Sequence, residues 1–414
     1  MATQSKPAAA TGAPNYLVPF IIVTALFGIF GFLTNLNSNL SPKLEDIFNL
    51  NHMWSNFVTT SWFLAYLVFS VPASKLIEKI GYKSTMVTSL FIMVGGALLF
   101  IPAALMVSFP IFLTASFVLA TGVCYLQTSA NPYVSILGPE SSAPARLTLA
   151  QAFNSLGSAL APLVVGYFIL TDNTITDKAA IAHTVMGPYI AIAAALFILG
   201  FAVMFMHLPA VTRSESFRPT DEGAPTPGRN IWSYRHTVLS MVGIFFYVGV
   251  EIALAANAIK FFKTQGIDSK DTAALLASFY MFAIMIGRFA GTAAMKAVKA
   301  EKLLAGLGFF GVALMLVAMV TSGSVAVWSL ILCGLANSIM YPTIFALGIA
   351  ELGPLTSKGS GVITIGNVGG AVIPPLFGFL AVAIGYQHAF ILPIVCYIYV
   401  AYYGLSGYKP TRTA

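Results

Sequence analysis

Ten neutral carboxamides lie inside long apolar stretches that hold almost no charge: Asn35, Asn37, Asn39, Gln127, Asn131, Gln151, Asn154, Asn257, Asn337 and Asn367. An amide in hydrocarbon costs roughly 2–7 kcal/mol unless it finds a partner or lines a wet cavity. Each offers donors and acceptors together, which suits a neutral, hydroxyl-rich solute. Several recur at helical spacing. Gln151, Asn154, Ser155 and Ser158 stand at i, i+3, i+4 and i+7, a polar stripe down an otherwise apolar helix. Asn35, Ser38 and Asn39 share a face. Gln127 with Asn131, and Asn337 with Tyr341, are i, i+4 pairs; Thr364 and Asn367 are i, i+3. One such stripe serves equally well to hydrogen-bond neighbouring helices. Stripes on five different helices favour a shared cavity.

One carboxylate joins them. Glu251 lies about 15 residues, or about 22 Å, along its apolar helix. At that depth it is a functional candidate able to carry a proton, ligate sodium or accept sugar hydroxyls. With Ser38 and Asn35 it forms the expected ion-coupling set. Arg288 is the one cation within a span, but its expected depth differs from that of Glu251 by roughly 10 Å. It is read as facing the cytoplasm rather than pairing with Glu251. Trp62, Tyr66, Tyr247 and Tyr280 could stack on a pyranose ring, although rings in mid-span also serve as packing. The expected substrate contacts are therefore the amides Asn35, Asn37, Gln127, Asn131, Gln151, Asn154, Asn257, Asn337 and Asn367, with Trp62, Tyr247 and Glu251.

Other chemistries lack their residues. Cys124, Cys333 and Cys396 have no metal-ligand spacing, and the five histidines fall at span ends or in loops. No metal centre and no cofactor is expected beyond a coupling Na+ or H+. There is no phosphate-binding glycine loop and no base-paired nucleophile, so neither an enzyme nor an ATP-driven pump is expected.

The elements that must position these residues follow from composition. The chain is 58% hydrophobic and 8% charged, against about 25% charged for a soluble domain. A helix crosses the hydrocarbon in about 20 residues. Apolar runs predict twelve spans, at 16–40, 54–77, 84–107, 109–138, 144–171, 186–208, 236–263, 272–295, 301–322, 324–351, 357–382 and 385–407. This is an all-α membrane protein with a tail at 1–15, a six-helix bundle over 16–208, a polar linker at 209–234, a second bundle over 235–407 and a tail at 408–414. Of the 21 Lys and Arg, 15 fall on one side and 5 on the other, with Arg288 within a span. The positive-inside rule puts both termini and the linker in the cytoplasm. The net charge of +7 reflects this topology, and no nucleic-acid partner is expected.

The halves repeat. Asn154-x-x-Gly157-x-x-x-x-Pro162 in span five is echoed by Asn367-x-x-Gly370-x-x-x-x-Pro375 in span eleven. Two six-helix bundles in parallel repeat describe the major facilitator architecture, whose halves rock about a mid-membrane site. The loop Ser74-Lys75-Leu76-Ile77-Glu78-Lys79-Ile80-Gly81-Tyr82-Lys83 resembles the gate motif of that superfamily. Glu78, Lys79 and Lys83, with Arg146 and Arg288, are the expected cytoplasmic gate.

The segment Leu137-Gly138-Pro139-Glu140-Ser141-Ser142, continuing through Arg146 to Leu149-Ala150-Gln151-Ala152-Phe153-Asn154-Ser155, resembles the fucose–galactose–glucose permease family. So do Ala130-Asn131-Pro132-Tyr133, Tyr341-Pro342-Thr343-Ile344-Phe345 and Ile286-Gly287-Arg288-Phe289. The resemblance implies monomeric carriers, multi-pass in a bacterial inner membrane, that import a neutral monosaccharide by proton or sodium symport. The chain departs from the family at two places. Where a two-carboxylate proton scheme resembling the family's would need acids, it holds Ser38 and Gln127. Ion-independent facilitation therefore stays open beside symport. Efflux of apolar drugs is disfavoured by so many amides, and a sugar sensor by the short C-terminal segment.

Overall fold

The computed structural model describes residues 16–47, 52–168, 178–206, 208 and 230–410, and among them every regular element is helical. In chain order these are α1 (Leu17–Ile47), α2 (His52–Leu105), α3 (Phe109–Ile136), α4 (Ala143–Phe168) and α5 (Lys178–Phe205). Then follow α6 (Arg235–Thr264), α7 (Lys270–Ala294), α8 (Ala300–Val320), α9 (Ser324–Asn337), α10 (Met340–Gly348), α11 (Thr356–Ile365), α12 (Gly369–Ile384), α13 (Tyr386–Ala389) and α14 (Ile391–Tyr402).

A straight helix of the 54 residues of α2 would reach about 80 Å, far beyond a hydrocarbon core of about 30 Å. It breaks at Gly81, whose φ of 83° and ψ of 170° only glycine accepts readily. The chain reverses there, giving two passes near the expected 54–77 and 84–107. Three later passes are each assembled from two helices. The pair α9–α10 is interrupted at Ser338 and Ile339, α11–α12 by a 3-10 turn over Gly366–Val368, and α13–α14 at Phe390. The arrangement is consistent with twelve passes. Of the expected linker, residues 209–229 lie outside the described residues. Ile231–Ser233 form a 3-10 turn capped by the Asn230 side chain, which accepts the Trp232 amide, and the chain then enters α6. The tails 1–15 and 411–414 also lie outside them. Phe205, Val320 and Val382 are among the side chains turned outward, apolar faces that lipid covers.

The repeat is visible in packing. Helix α1 lies along α4, and α6 lies along α12. Each contact is backbone against backbone. A Cβ at Gly157 would stand 1.9 Å from the Gly28 carbonyl oxygen, and one at Gly369 would stand 1.9 Å from the Phe245 carbonyl oxygen. The sequence repeat aligns Gly157 with Gly370, yet the equivalent close approach falls one residue earlier, on Gly369. The 3-10 turn before it winds faster than an α-helix and moves the phase. Gly370 instead receives the Phe63 ring, 2.5 Å from where its Cβ would be.

A first prediction arises here. Gly157→Ala should lower stability by about 1–3 kcal/mol through overpacking, more than the gain in helix propensity of at most about 1 kcal/mol. Thermal unfolding in detergent reads it. Gly95→Ala, with nothing within 4 Å of the added methyl, is the control.

Candidate functional site

Where the two helix groups meet they enclose a cavity of about 520 Å³, within the range of about 300–1,000 Å³ usual for small-molecule sites. Asn35 reaches it from α1, Phe63 and Tyr66 from α2, and Gln127 from α3. The whole stripe of α4, Gln151, Asn154, Ser155 and Ser158, faces it. On the opposite side stand Tyr247 and Glu251 of α6, Ser278, Met281, Phe282 and Arg288 of α7, Tyr341 of α10, and Asn367. The periodicity of α4 explains the stripe: polar side chains three and four apart on an apolar helix have one interior direction to share.

Several polar groups of this wall are held by their neighbours. Asn154 Nδ2 donates to the Phe27 carbonyl at 3.1 Å, and Ser158 Oγ donates to the Gly31 carbonyl at 3.1 Å; both fasten α4 to α1. Asn367 Nδ2 donates to the Thr364 carbonyl at 2.9 Å. One atom is different. Gln127 Oε1 is buried without a hydrogen-bond partner. The Tyr247 hydroxyl lies beside the Glu251 side chain and is engaged by it. Buried polar atoms are nearly always satisfied. An unsatisfied atom on a residue that lines a cavity is a position for a ligand group once the side chain turns toward the cavity. The rings supply the apolar complement: Phe63 and Tyr66 stack with centroids 6.3 Å apart, and Tyr247 and Tyr341 lie tilted at 6.2 Å.

Other expected contacts stand elsewhere. Asn131 is fully buried behind the wall. Gln151 Nε2 donates to its Oδ1 at 3.4 Å, and its own Nδ2 donates to the Tyr341 hydroxyl at 3.4 Å, a relay from α4 through α3 to α10. Asn337 is also fully buried. Its Oδ1 accepts the Tyr397 hydroxyl at 2.9 Å and its Nδ2 donates to the Tyr280 hydroxyl at 2.7 Å. Tyr280 in turn donates to the Glu251 carbonyl at 3.4 Å. That network fixes the backbone under Glu251 without reaching the cavity. Asn257 turns back on its own helix, donating to the Ala253 carbonyl at 2.9 Å. Trp62, Phe63 and Tyr66 all pack on the apolar core, but only Phe63 and Tyr66 also line the cavity. The side chains of Asn37, Ser38 and Asn39 lie outside the described residues.

One side of the cavity is sealed. Lys358 pairs with Glu78 at 3.8 Å, and Ser357 Oγ donates to Glu78 at 3.4 Å. Glu140 accepts the amide of Glu351 at 3.0 Å. Glu351 has a φ of 57°, a left-handed conformation unusual for its type, so the Glu140 carboxylate anchors a strained turn. Burial pushes the Glu140 carboxyl above its ordinary range, and the Glu351 amide partly opposes this. Ser360 Oγ donates to the Thr128 carbonyl at 2.6 Å, and Gly361 lets α11 close on Ser74 of α2.

The remaining gate residues divide. Lys79 is exposed and Lys83 half-buried on the same loop. Arg146 stays within its own half. It donates to the Pro139 carbonyl at 2.8 Å and to the Val134 and Ser135 carbonyls and Ser142 Oγ, closing the end of α3. Arg288 lies apart from that loop, where it lines the cavity. Its guanidinium donates to the Gln151 carbonyl at 3.0 Å, to Ser155 Oγ, and to the Ser338 carbonyl at 3.2 Å.

Phe63, Ser278 and Phe282 line the cavity without having stood out in the sequence. A signal existed for Phe63. Gly370 leaves a space that its ring fills from the other half.

Asn154 carries the second prediction. Asn154→Ala should weaken ligand binding and also cost about 1 kcal/mol of stability through the lost bond to Phe27. Titration of the purified variant, with its thermal midpoint, measures both effects.

A bundle of repeated helix pairs around one central cavity, sealed at one end, is the architecture of an alternating-access carrier. The chain belongs to the Major Facilitator Superfamily, whose family model matches residues 21–366. It is 41% identical over 399 residues to a protein of Brucella abortus named a glucose/galactose transporter, covering 95% of each chain. It is 32% identical over 404 residues to the L-fucose-proton symporter of Escherichia coli, covering 92% of this chain and 91% of that one. The crystal structure of the transporter FucP in the outward conformation superposes with a TM-score of 0.85 at 30% identity, covering 95% of this chain and 99% of the other. These relatives are transporters, and the chain is a membrane carrier rather than an enzyme.

Proposed function

We propose that the protein imports a neutral monosaccharide by alternating access, coupled to a cation through Glu251. The observation that carries this reading is the cavity wall: neutral amides and hydroxyls beside paired rings, with an unsatisfied acceptor at Gln127. A pyranose presents hydroxyls at its rim and C–H faces above and below. The wall offers partners for both. The names of the relatives, glucose/galactose transporter and L-fucose-proton symporter, support a hexose as solute and a proton as coupling ion.

In this reading the side bearing Glu78, Glu140 and Lys358 is cytoplasmic, as the distribution of Lys and Arg directs. With that side sealed, the cavity faces outward. Residues 16–208 and 235–407 act as the two rocking halves, with the chain working as a monomer in the bacterial inner membrane. Glu251 and the Arg288 charge are close enough to act on each other, while Arg288 spends its donors on neutral acceptors. Glu251 is thus left available to a proton, a sodium ion or a sugar hydroxyl.

A second reading is ion-independent facilitation, favoured by Ser38 and Gln127 where a two-carboxylate scheme would hold acids. Purified protein in proteoliposomes separates the two. Labelled galactose, glucose or fucose is offered under a pH gradient alone, a sodium gradient alone, or no gradient. Accumulation above equilibrium under one gradient supports symport by that ion. Equilibration without accumulation under every condition supports facilitation. Absence of uptake for all three sugars contradicts both.

A further inference from the structure

Arg288 is a buried cation whose hydrogen-bond acceptors are all uncharged, and two of them belong to the opposite half. The α7 helix reaches this place because Gly287 fits against Ser338, where a Cβ would stand 2.5 Å from the Ser338 Cβ, and Gly291 fits against Ile339. Ser338 and Ile339 interrupt α9 and α10, and the Ser338 carbonyl at the break accepts Arg288 Nε. From this anchor in its own half the guanidinium crosses the seam to Gln151 and Ser155 of α4. Gln151, Ser155 and Arg288 all line the cavity as well. Ser155 Oγ already donates to the Gln151 carbonyl at 3.2 Å. Two of the acceptors of Arg288, the Gln151 carbonyl and Ser155 Oγ, therefore lie on residues of the stripe that a solute would contact.

We propose that Arg288 is a clasp that holds the two halves together on the sealed side of the cavity, and that the bound solute undoes it. This rests on the reading of the cavity as a hexose site. A hexose hydroxyl that reaches Ser155 Oγ or the Gln151 carbonyl competes with the guanidinium for the same atoms. The guanidinium then turns to the sugar or to the carboxylate of Glu251, and neither holds α4. The links from α7 to α4 must break whenever the sealed side opens, so a solute that weakens them lowers the barrier to opening. In the empty carrier the clasp stays shut, which suppresses inward opening of the unloaded protein and any leak of the coupling ion through it. Arg288 acts here as a positioning residue between the halves.

Ser74 supplies the reporter. It is buried under α11 beside Gly361, so a cysteine there meets a water-soluble maleimide only when the seam opens. The native Cys124, Cys333 and Cys396 are buried, and the protein without the reporter provides the blank. Labelling is followed in detergent with and without D-glucose, D-galactose or L-fucose. Without sugar, Arg288→Gln should raise the labelling rate of the Ser74→Cys protein about tenfold, the ratio that one hydrogen bond to a charged group carries. A hexose should accelerate labelling when Arg288 is present and add little when it is replaced. If Arg288→Gln does not fold, Ser155→Ala removes one acceptor and should give about a threefold rise. Labelling at the parent rate in these variants, or equal acceleration by sugar with and without Arg288, overturns the clasp. A thermal-shift titration of the parent separates the two readings. Hexose binding with unchanged labelling overturns the clasp and keeps the sugar site. Raised labelling in Arg288→Gln with no hexose binding keeps the closure role of Arg288, while overturning release by a hexose and the sugar site with it.

Discussion

Replacing Glu251 by Gln should abolish gradient-driven accumulation of sugar while leaving exchange of labelled for unlabelled sugar across a loaded membrane. Glutamine keeps the size of the side chain and an oxygen acceptor, so contacts to a hydroxyl survive. It cannot take up a proton or neutralise a sodium ion, so the cycle loses its link to the gradient. The expected loss is large. One charge moved through 100 mV is worth about 2.3 kcal/mol, or about a 50-fold concentration ratio. That ratio should fall to about one in Glu251→Gln proteoliposomes. Undiminished accumulation would remove Glu251 from the coupling role. The network Tyr397–Asn337–Tyr280 behind Glu251 should make this position intolerant of larger changes, because it holds the Glu251 backbone from behind.

Gln127→Leu carries the second large effect. Its buried oxygen has no protein partner, so the free protein bears the cost of desolvating it and a bound hydroxyl would repay that cost. Removing the amide should weaken hexose binding by about 10–100-fold and leave the thermal midpoint of the sugar-free protein unchanged or raised. A residue that merely braces helices behaves in the opposite way, with stability falling and affinity preserved. Asn337→Leu should show that opposite pattern, since both ends of its amide are engaged in the protein. Equilibrium binding beside thermal unfolding of the two variants distinguishes the cases. Equal losses of affinity in both would contradict the assignment of Gln127 to the cavity wall.

The contrast between Gln127 and Asn337 shows how far the sequence reaches. Both are neutral amides in apolar helices, and both have a polar neighbour four residues away. Their sequence signal is the same. What separates them is partners far along the chain: Asn337 meets Tyr280 and Tyr397, 57 and 60 positions away, whereas Gln127 Oε1 meets none. The stripe on α4 was legible because four polar side chains at helical spacing fix a direction by themselves. Trp62 illustrates the reverse. Trp62 and Tyr66, four apart, point within about 40° of each other on the helix, yet Tyr66 and Phe63 line the cavity and Trp62 does not. Spacing and apolar flanks gave no hint of that difference. The passes were readable from apolar length, yet the breaks at Ser338 and at Gly366–Val368 were not, because neither carries proline at the break itself. Those breaks matter. The first exposes the carbonyl that anchors Arg288, and the second shifts the repeat by one residue. Arg288 was partly legible for a related reason. Counting residues along α7 gives a depth, but its long side chain and the close approach at Gly287 bring the charge to the cavity.

The most direct measurement is equilibrium binding of a panel of ligands to the purified protein in detergent. The panel holds D-glucose, D-galactose and L-fucose beside a cationic amphiphilic dye. A cavity walled by uncharged amides and paired rings should bind at least one hexose saturably and leave the dye unbound. Saturable binding of the dye with no hexose bound would contradict the account.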